Sequence, residues 1–313
     1  MAPQALENKD IELLNPQSYE NMAIIPLKSE GNYKLDILTL KKGFELGLVE
    51  VKECSTSTVN TIIVKNNAVT PLILIDGEEV VGGDQNRIVN ATTVIAAKTE
   101  MKIPVSCTEK GRWAYKSEFE DSKYIANYNT RKAKEIASRS NSSSQAAVWE
   151  SINKLEIEND YMSPTSAMEE SYEQLKANHE EIIKQFKIAD GQNGILIIIN
   201  GEIKGFELFL NHDIYKKFHE KILKSYLIDS KIENTTFTIN IDAAKSVIDN
   251  VFDSPFEKRD NHGLEEAFGF ENDEGLGTLY TYENHIVHLS FFKKIDEKID
   301  DDFSENVSQE MDI

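Results

Sequence analysis

Between Asp76 and Trp113 the chain gathers the side chains best suited to chemistry: six carboxylates, two guanidinium groups and several amides. Carboxylates in close company can bind a divalent cation or divide the work of acid and base, so Asp76, Glu78 and Glu109 are the candidate catalytic groups. Arginine's planar fork matches a carboxylate or a phosphate, and four of the five arginines fall between Arg87 and Arg139. The candidate ligand-binding groups are Gln85, Asn86, Arg87, Asn90, Ser106, Arg112 and Trp113. A plainer reading stands beside this one. An Asp-Gly turn calls for Asp76 on its own account, and each arginine can be neutralised by a nearby Asp76, Glu78 or Glu109.

Other signals are weaker. Gly82-Gly83 allows a close backbone approach, but without G-x-G-x-x-G and a following helix it is no dinucleotide fingerprint. Cys107 as a nucleophile would need a base, and no histidine precedes His179, so a buried, inert thiol is the simpler reading. His285 and His288, three positions apart in a strand, point to opposite faces and make a poor metal pair. No metal site is expected, and the sequence specifies no cofactor.

The elements that must position these groups are strands. Short β-branched runs at 22–27, 33–40, 48–51, 59–64, 72–75, 87–96 and 101–105 predict a β-rich, antiparallel N-terminal half. Residues 108–141 read as a long loop with a helix over 130–138, and Ser142 to Ser144 cap the next helix. After Ser163-Pro164, Met168, Tyr172, Leu175, His179, Ile182, Ile183 and Phe186 form a helical stripe. Asn200-Gly201 predicts a type I′ hairpin, and the similar run Leu72 to Glu78 suggests a second one at Asp76-Gly77. A helix over 211–227, a strand over 235–241, a helix over 243–252 and strands at 264–270, 277–282 and 285–292 complete the pattern. The fold class is α+β, with the antiparallel half followed by helices packed on a sheet.

The run Asp76-Gly77-Glu78-Glu79-Val80-Val81-Gly82-Gly83-Asp84-Gln85-Asn86-Arg87, then Asn90, Ile103-Pro104-Val105-Ser106-Cys107, Glu109 and Gly111-Arg112-Trp113, resembles the signature of a known family. Gln145, Val148-Trp149 and Ser163-Pro164-Thr165 extend the likeness. The family is the ARG and rhodanese-phosphatase-associated protein domain, ARG being read as ADP-ribosylglycohydrolase. The resemblance covers residues 22–229 and implies company with NAD or ADP-ribose chemistry. It carries over no catalytic residue. Gly83-Asp84 before Gln85, and the acidic Glu118, Glu120 and Asp121, depart from the family's pattern and from a loop built to grip an anion.

Composition sets the outer bounds. The chain has 313 residues, 40% of them hydrophobic, enough for a sizeable core, and a formal charge of -20 that disfavours nucleic acid and anionic lipid as partners. Two cysteines at no ligand spacing, and a polar start bearing Glu7, Asp10 and Glu12, point to a cytoplasmic protein. No run approaches the length of a membrane span. The expected units are an N-terminal segment (1–21), the α+β domain (22–229), a small α/β lobe or the closing part of a shared sheet (230–295), and an acidic, disordered tail (296–313). The expected ligand is a phosphate-bearing nucleotide or an ADP-ribose-like molecule, either processed or merely sensed. A protein-interaction scaffold is the third reading, and oligomeric state is left open.

Overall fold

Strands that are apolar at every position need cover on both faces, and this requirement governs the layout. The computed structural model describes residues 3–6, 10–29, 35–54, 60–140, 142–230 and 237–294, with backbone alone at 4 and at 176–178. The tail that the sequence marks as disordered lies outside these residues.

The strands of the first half are β1 (Ile11–Leu13), β2 (Gln17–Tyr19), β3 (Met22–Ser29), β4 (Leu38–Thr39), β5 (Val49–Glu53) and β6 (Thr61–Asn66). They continue as β7 (Leu72–Leu74), β8 (Glu78–Val81), β9 (Arg87–Val89), β10 (Thr93–Ile95), β11 (Thr99–Cys107) and β12 (Glu120–Ile125). The later strands are β13 (Gly194–Ile199), β14 (Glu202–Phe209), β15 (Phe256–Arg259), β16 (Glu266–Glu271), β17 (Gly275–Tyr282) and β18 (His285–Lys293). The α-helices are α1 (Leu40–Glu45), α2 (Tyr128–Arg139), α3 (Ser144–Glu158), α4 (Met168–Gln185), α5 (His212–Leu227) and α6 (Ile241–Phe252). The class is α+β, and its sheets are antiparallel except where β4 runs parallel to β7. No helix among the described residues is long and apolar enough to cross a membrane.

The largest sheet runs β1-β3-β13-β14-β18-β17-β16-β15, with β2 also paired to β3. Gly194–Ile199 is buried throughout because both its faces are covered. On one face Ala244, Val247, Ile248 and Val251 of α6 pack against Ile25, Leu196, Phe206 and Phe291. On the other lie Ile214, Phe218 and Ile222 of α5, Ile182 of α4, and Ile73 and Val94 from a small sheet ordered β10-β7-β4. A six-stranded sheet, β12-β8-β9-β11-β6-β5, shares its own core with α1. The strands of 256–293 thus close the sheet that β3 and β13 begin, the second of the two arrangements left open for them.

Several local expectations change. Asn200-Gly201 does turn a hairpin, with φ of 52° and 81°. Asp76-Gly77 does not: only Gly77 is left-handed, at 83°, and Glu78 N donates to Ile75 O at 3.1 Å. That turn hands the chain from the three-stranded sheet to the six-stranded one, since β7 and β8 do not pair. The 108–141 loop contains β12 as well as α2. Leu40 opens α1 instead of ending a strand, 87–96 divides into β9 and β10, and 237–240 is not strand before α6 begins at Ile241. The stripe after Pro164 is buried as expected, but its helix starts at Met168, where Ser163 Oγ accepts from Ala167 N at 2.9 Å.

Gly205 shows how closely β14 and β18 approach under α5. A Cβ there would lie 2.1 Å from Phe291 O and 3.0 Å from the Tyr226 hydroxyl. Gly205→Ala is expected to cost about 1–3 kcal/mol, read as a lowered urea midpoint with an unchanged m-value.

Candidate functional site

Nine of the ten sequence-derived site residues, all but Trp113, divide among three largely buried polar groups, each built at a junction between elements. The first centres on α2. Arg131 is completely buried and grips Glu207 of β14 with two parallel bonds, Nη1 to Oε1 at 2.6 Å and Nη2 to Oε2 at 3.1 Å. Its Nε donates to Asp76 Oδ2 at 3.3 Å, and Lys134, one helical turn on, donates to Asp76 Oδ1 and to Asn90 O. Burial alone would raise the Glu207 pKa, but the Arg131 charge and His288 hold it down at about 2. His288 Nε2 lies 3.1 Å from Glu207 Oε2, and its Nδ1 lies 2.7 Å from Thr92 Oγ1, which also accepts from Asp76 N. The layout suits the Nε2–H tautomer, with the Thr92 hydroxyl donating to Nδ1. Asp76 is therefore an anchor in an ion-pair network.

The second group lies on β8. Glu78 Oε2 accepts from Ile75 N at 2.8 Å, and Lys221 of α5 stands 3.9 Å from its Oε1 and 2.8 Å from Asp121 of β12. Burial pushes Glu78 up to about 7, against the pull of Lys221. Glu79 projects to the other side and accepts from Thr108 Oγ1 at 2.8 Å and Ser122 Oγ at 2.9 Å. Burial, helped by Glu169, pushes it up to about 8. The Gly77 turn sends Asp76 and Glu78, two of the carboxylates read from the sequence as acting in close company, to different partners. Among the described residues no group of three or more His, Cys, Asp and Glu is placed to hold a metal ion.

The third group joins β9 to the end of β11. Arg87 is buried, with Nη1 donating to Gln85 Oε1 at 2.8 Å and to Cys107 Sγ at 2.7 Å, and Nη2 to Glu53 at 3.4 Å. Burial lifts the Cys107 thiol to about 11 in spite of Arg87, which suits an inert cysteine. Ser106, also buried, donates to Asn90 Oδ1 at 2.8 Å. Glu109 accepts from Arg112 Nε at 2.8 Å and Thr165 Oγ1 at 3.0 Å. Burial raises its pKa, but Arg112 and Thr165 hold it below the usual range.

Arg112 does one thing more. Its Nη1 reaches Gly83 O at 2.7 Å and Ala114 O at 2.9 Å, and its Nη2 reaches Gly82 O at 3.1 Å and Asn86 Oδ1 at 3.2 Å. The glycine pair accommodates the chain's own loop: a Cβ on Gly82 would lie 2.4 Å from Glu118 O. Loop 110–118 is thereby pinned at its base while Trp113 is 61% and Tyr115 63% exposed. Lys110 and Lys116 are exposed on the same loop, and Lys110 Nζ sits 5.6 Å from the Trp149 ring centroid. Of the ten sequence-derived residues, Trp113 alone is fully at the surface.

Residues 10–292 match the ARG and Rhodanese-Phosphatase-superfamily-associated Protein domain, ARPP-1. The chain belongs to this family. No curated protein and no solved structure matches it. The ARPP-1 match runs past both ends of the 22–229 resemblance and takes in β1 and nearly all of β18. That extent includes Glu207 and His288, which sequence reasoning passed over, together with Arg131, Lys134 and Thr92. Two signals pointed to them: a single acid inside the apolar run Phe206-Glu207-Leu208-Phe209, and Arg131 with Lys134 at helical spacing.

Removing Arg131 leaves Glu207 buried without its guanidinium. Arg131→Met is expected to cost about 3–5 kcal/mol in urea unfolding, and Arg131→Met with Glu207→Gln to cost less than the single change. Glu78 and Glu79 keep protons in the folded chain at pH values where the unfolded chain, with carboxylates near 4.5, has released them. Their raised folded pKa values make stability fall as pH rises from 4.5 through about 7 and 8. The loss is at most about 1.4 kcal/mol per pH unit for each group. Glu79→Gln, a mimic of the protonated acid, is expected to flatten that slope, raising Tm relative to the parent at about pH 9 and not at about pH 5.

Proposed function

We propose that this chain is a noncatalytic binding module for a phosphate-bearing nucleotide or ADP-ribose-like ligand, taken up on loop 110–118. The observation that carries the reading is the pairing of a pinned loop base with two exposed rings, Trp113 and Tyr115, flanked by Lys110 and Lys116. Aromatic faces stack on a base, lysines meet phosphate, and a loop ordered in advance loses less entropy on binding. Binding is favoured over processing because Asp76, Glu78 and Glu109 are buried and directed at protein groups. The ligand class is suggested by the family's name, with ARG read as ADP-ribosylglycohydrolase. A protein-interaction scaffold is the alternative, favoured by the same rings, since exposed aromatics are frequent anchors of protein interfaces.

Titration of the chain with ADP-ribose and ADP, followed by tryptophan fluorescence and calorimetry, tests the reading. Saturable binding without product is expected. Trp113→Ala should weaken it by about 1–3 kcal/mol, roughly 5- to 100-fold, with Tm unchanged. Turnover of either ligand would overturn the noncatalytic reading, and absence of saturable binding would leave the scaffold in its place.

A further inference from the structure

A second feature lies away from this loop, where α3 ends against α4. A cavity of about 310 Å³ opens there between Leu155, Glu156, Asn159, Asp160, Tyr161, Ser171, Gln174 and Leu175. Its size falls at the lower end of small-molecule sites. The chain makes the cavity by stopping α3 abruptly. Asp160 takes a left-handed φ of 50°, Tyr161 N donates to Glu156 O at 3.1 Å and Asp160 N to Ile157 O at 3.3 Å. This paired closure folds the chain back over the helix end.

The charge in the wall is of one sign among the described residues: Glu156 and Asp160 are acidic, and no described lysine or arginine lines the cavity. The negative end of the 15-residue helix α3 points the same way. Glu156 is only 1% exposed. Its Oε1 accepts from Ser163 N at 2.9 Å and from Ser171 Oγ at 3.1 Å, whereas Oε2 has no hydrogen-bond partner. A buried carboxylate with an oxygen to spare is costly unless a donor, best a cationic one, completes it. Leu155 and Leu175 offer apolar wall for methylenes, and the Tyr161 ring offers a face to a cation.

We infer that the cavity between α3 and α4 binds an aliphatic amine, its ammonium drawn to Glu156 and Asp160 and its methylenes laid against Leu155 and Leu175. The net charge of -20 favours the approach of cations and disfavours anions.

Calorimetric and NMR titration of the full chain with 1,4-diaminobutane, in ~0.15 M salt to screen the diffuse surface field, tests the proposal. Saturable one-to-one binding of the diamine is expected, with none for the neutral 1,4-butanediol. Glu156→Gln should weaken binding at least tenfold. Because that carboxylate also holds Ser163 and Ser171, Gln174→Arg provides a second variant: it places a cation at an exposed lining position and should abolish binding with Tm retained. Absence of saturable binding to the parent chain would overturn the proposal. So would equal affinity in folded Glu156→Gln, or in Gln174→Arg, either of which would reduce the interaction to the counterion atmosphere of an acidic protein.

Discussion

The salt bridge between Arg131 and Glu207 joins parts of the chain that have little else in common. Glu207 and His288 stand on adjacent strands of the nine-stranded sheet, Asp76 and Thr92 flank the small sheet, and Arg131 arrives from α2 between them. Removing these charges from water is expensive, and their mutual attraction offsets that cost only while the geometry holds. Two parallel bonds to Glu207, one to Asp76 and a histidine behind the carboxylate supply such geometry. A shift of α2 or a slip of β14 would strand a buried charge. The network therefore selects one docking of the β-rich half on the sheet, where greasy surfaces alone would tolerate several.

That constraint determines what the rest of the 76–113 stretch can offer a ligand. Its arginines are directed inward: Arg87 holds Gln85, Cys107 and Glu53, and Arg112 holds Glu109 and four backbone or amide acceptors. Guanidinium forks suit phosphate, but they suit a protein's own carbonyls equally well. The exposed side chains are instead those the arginines position, chiefly Trp113 and Tyr115. The two proposed sites then have opposite character. One is an aromatic loop flanked by Lys110 and Lys116, with Glu118 hydrogen-bonded to Tyr115, and the other is an acidic cavity.

Much of the fold was legible in local patterns. Glycine and asparagine at Asn200-Gly201 need left-handed φ angles and so fix a hairpin, and the Met168-to-Phe186 stripe has to be a buried helix face. The same logic misread Leu72 to Glu78, which matches the later hairpin almost letter for letter. There Arg131 packs 3.0 Å from where a Gly77 Cβ would stand, and Asp76 turns toward α2 instead of supporting a second strand. Strand β12 escaped notice because Glu120–Ile125 is polar and pairs with β8 on one side only, so it has little apolar alternation to display.

By itself the sequence determined the α+β class and the concentration of polar groups between Asp76 and Trp113, which follow from composition, periodicity and short-range turn chemistry, and the family, which follows from the signature residues the chain shares with it. It could not decide which of those groups face solvent. A carboxylate beside an arginine reads alike whether the pair grips a ligand or each other, and the difference lies in partners 50 to 200 positions away: Arg131 55 from Asp76, Glu207 76 from Arg131, His288 196 from Thr92. Only the tertiary structure brought those partners together, since burial and charge compensation depend on neighbours in space that no local pattern records.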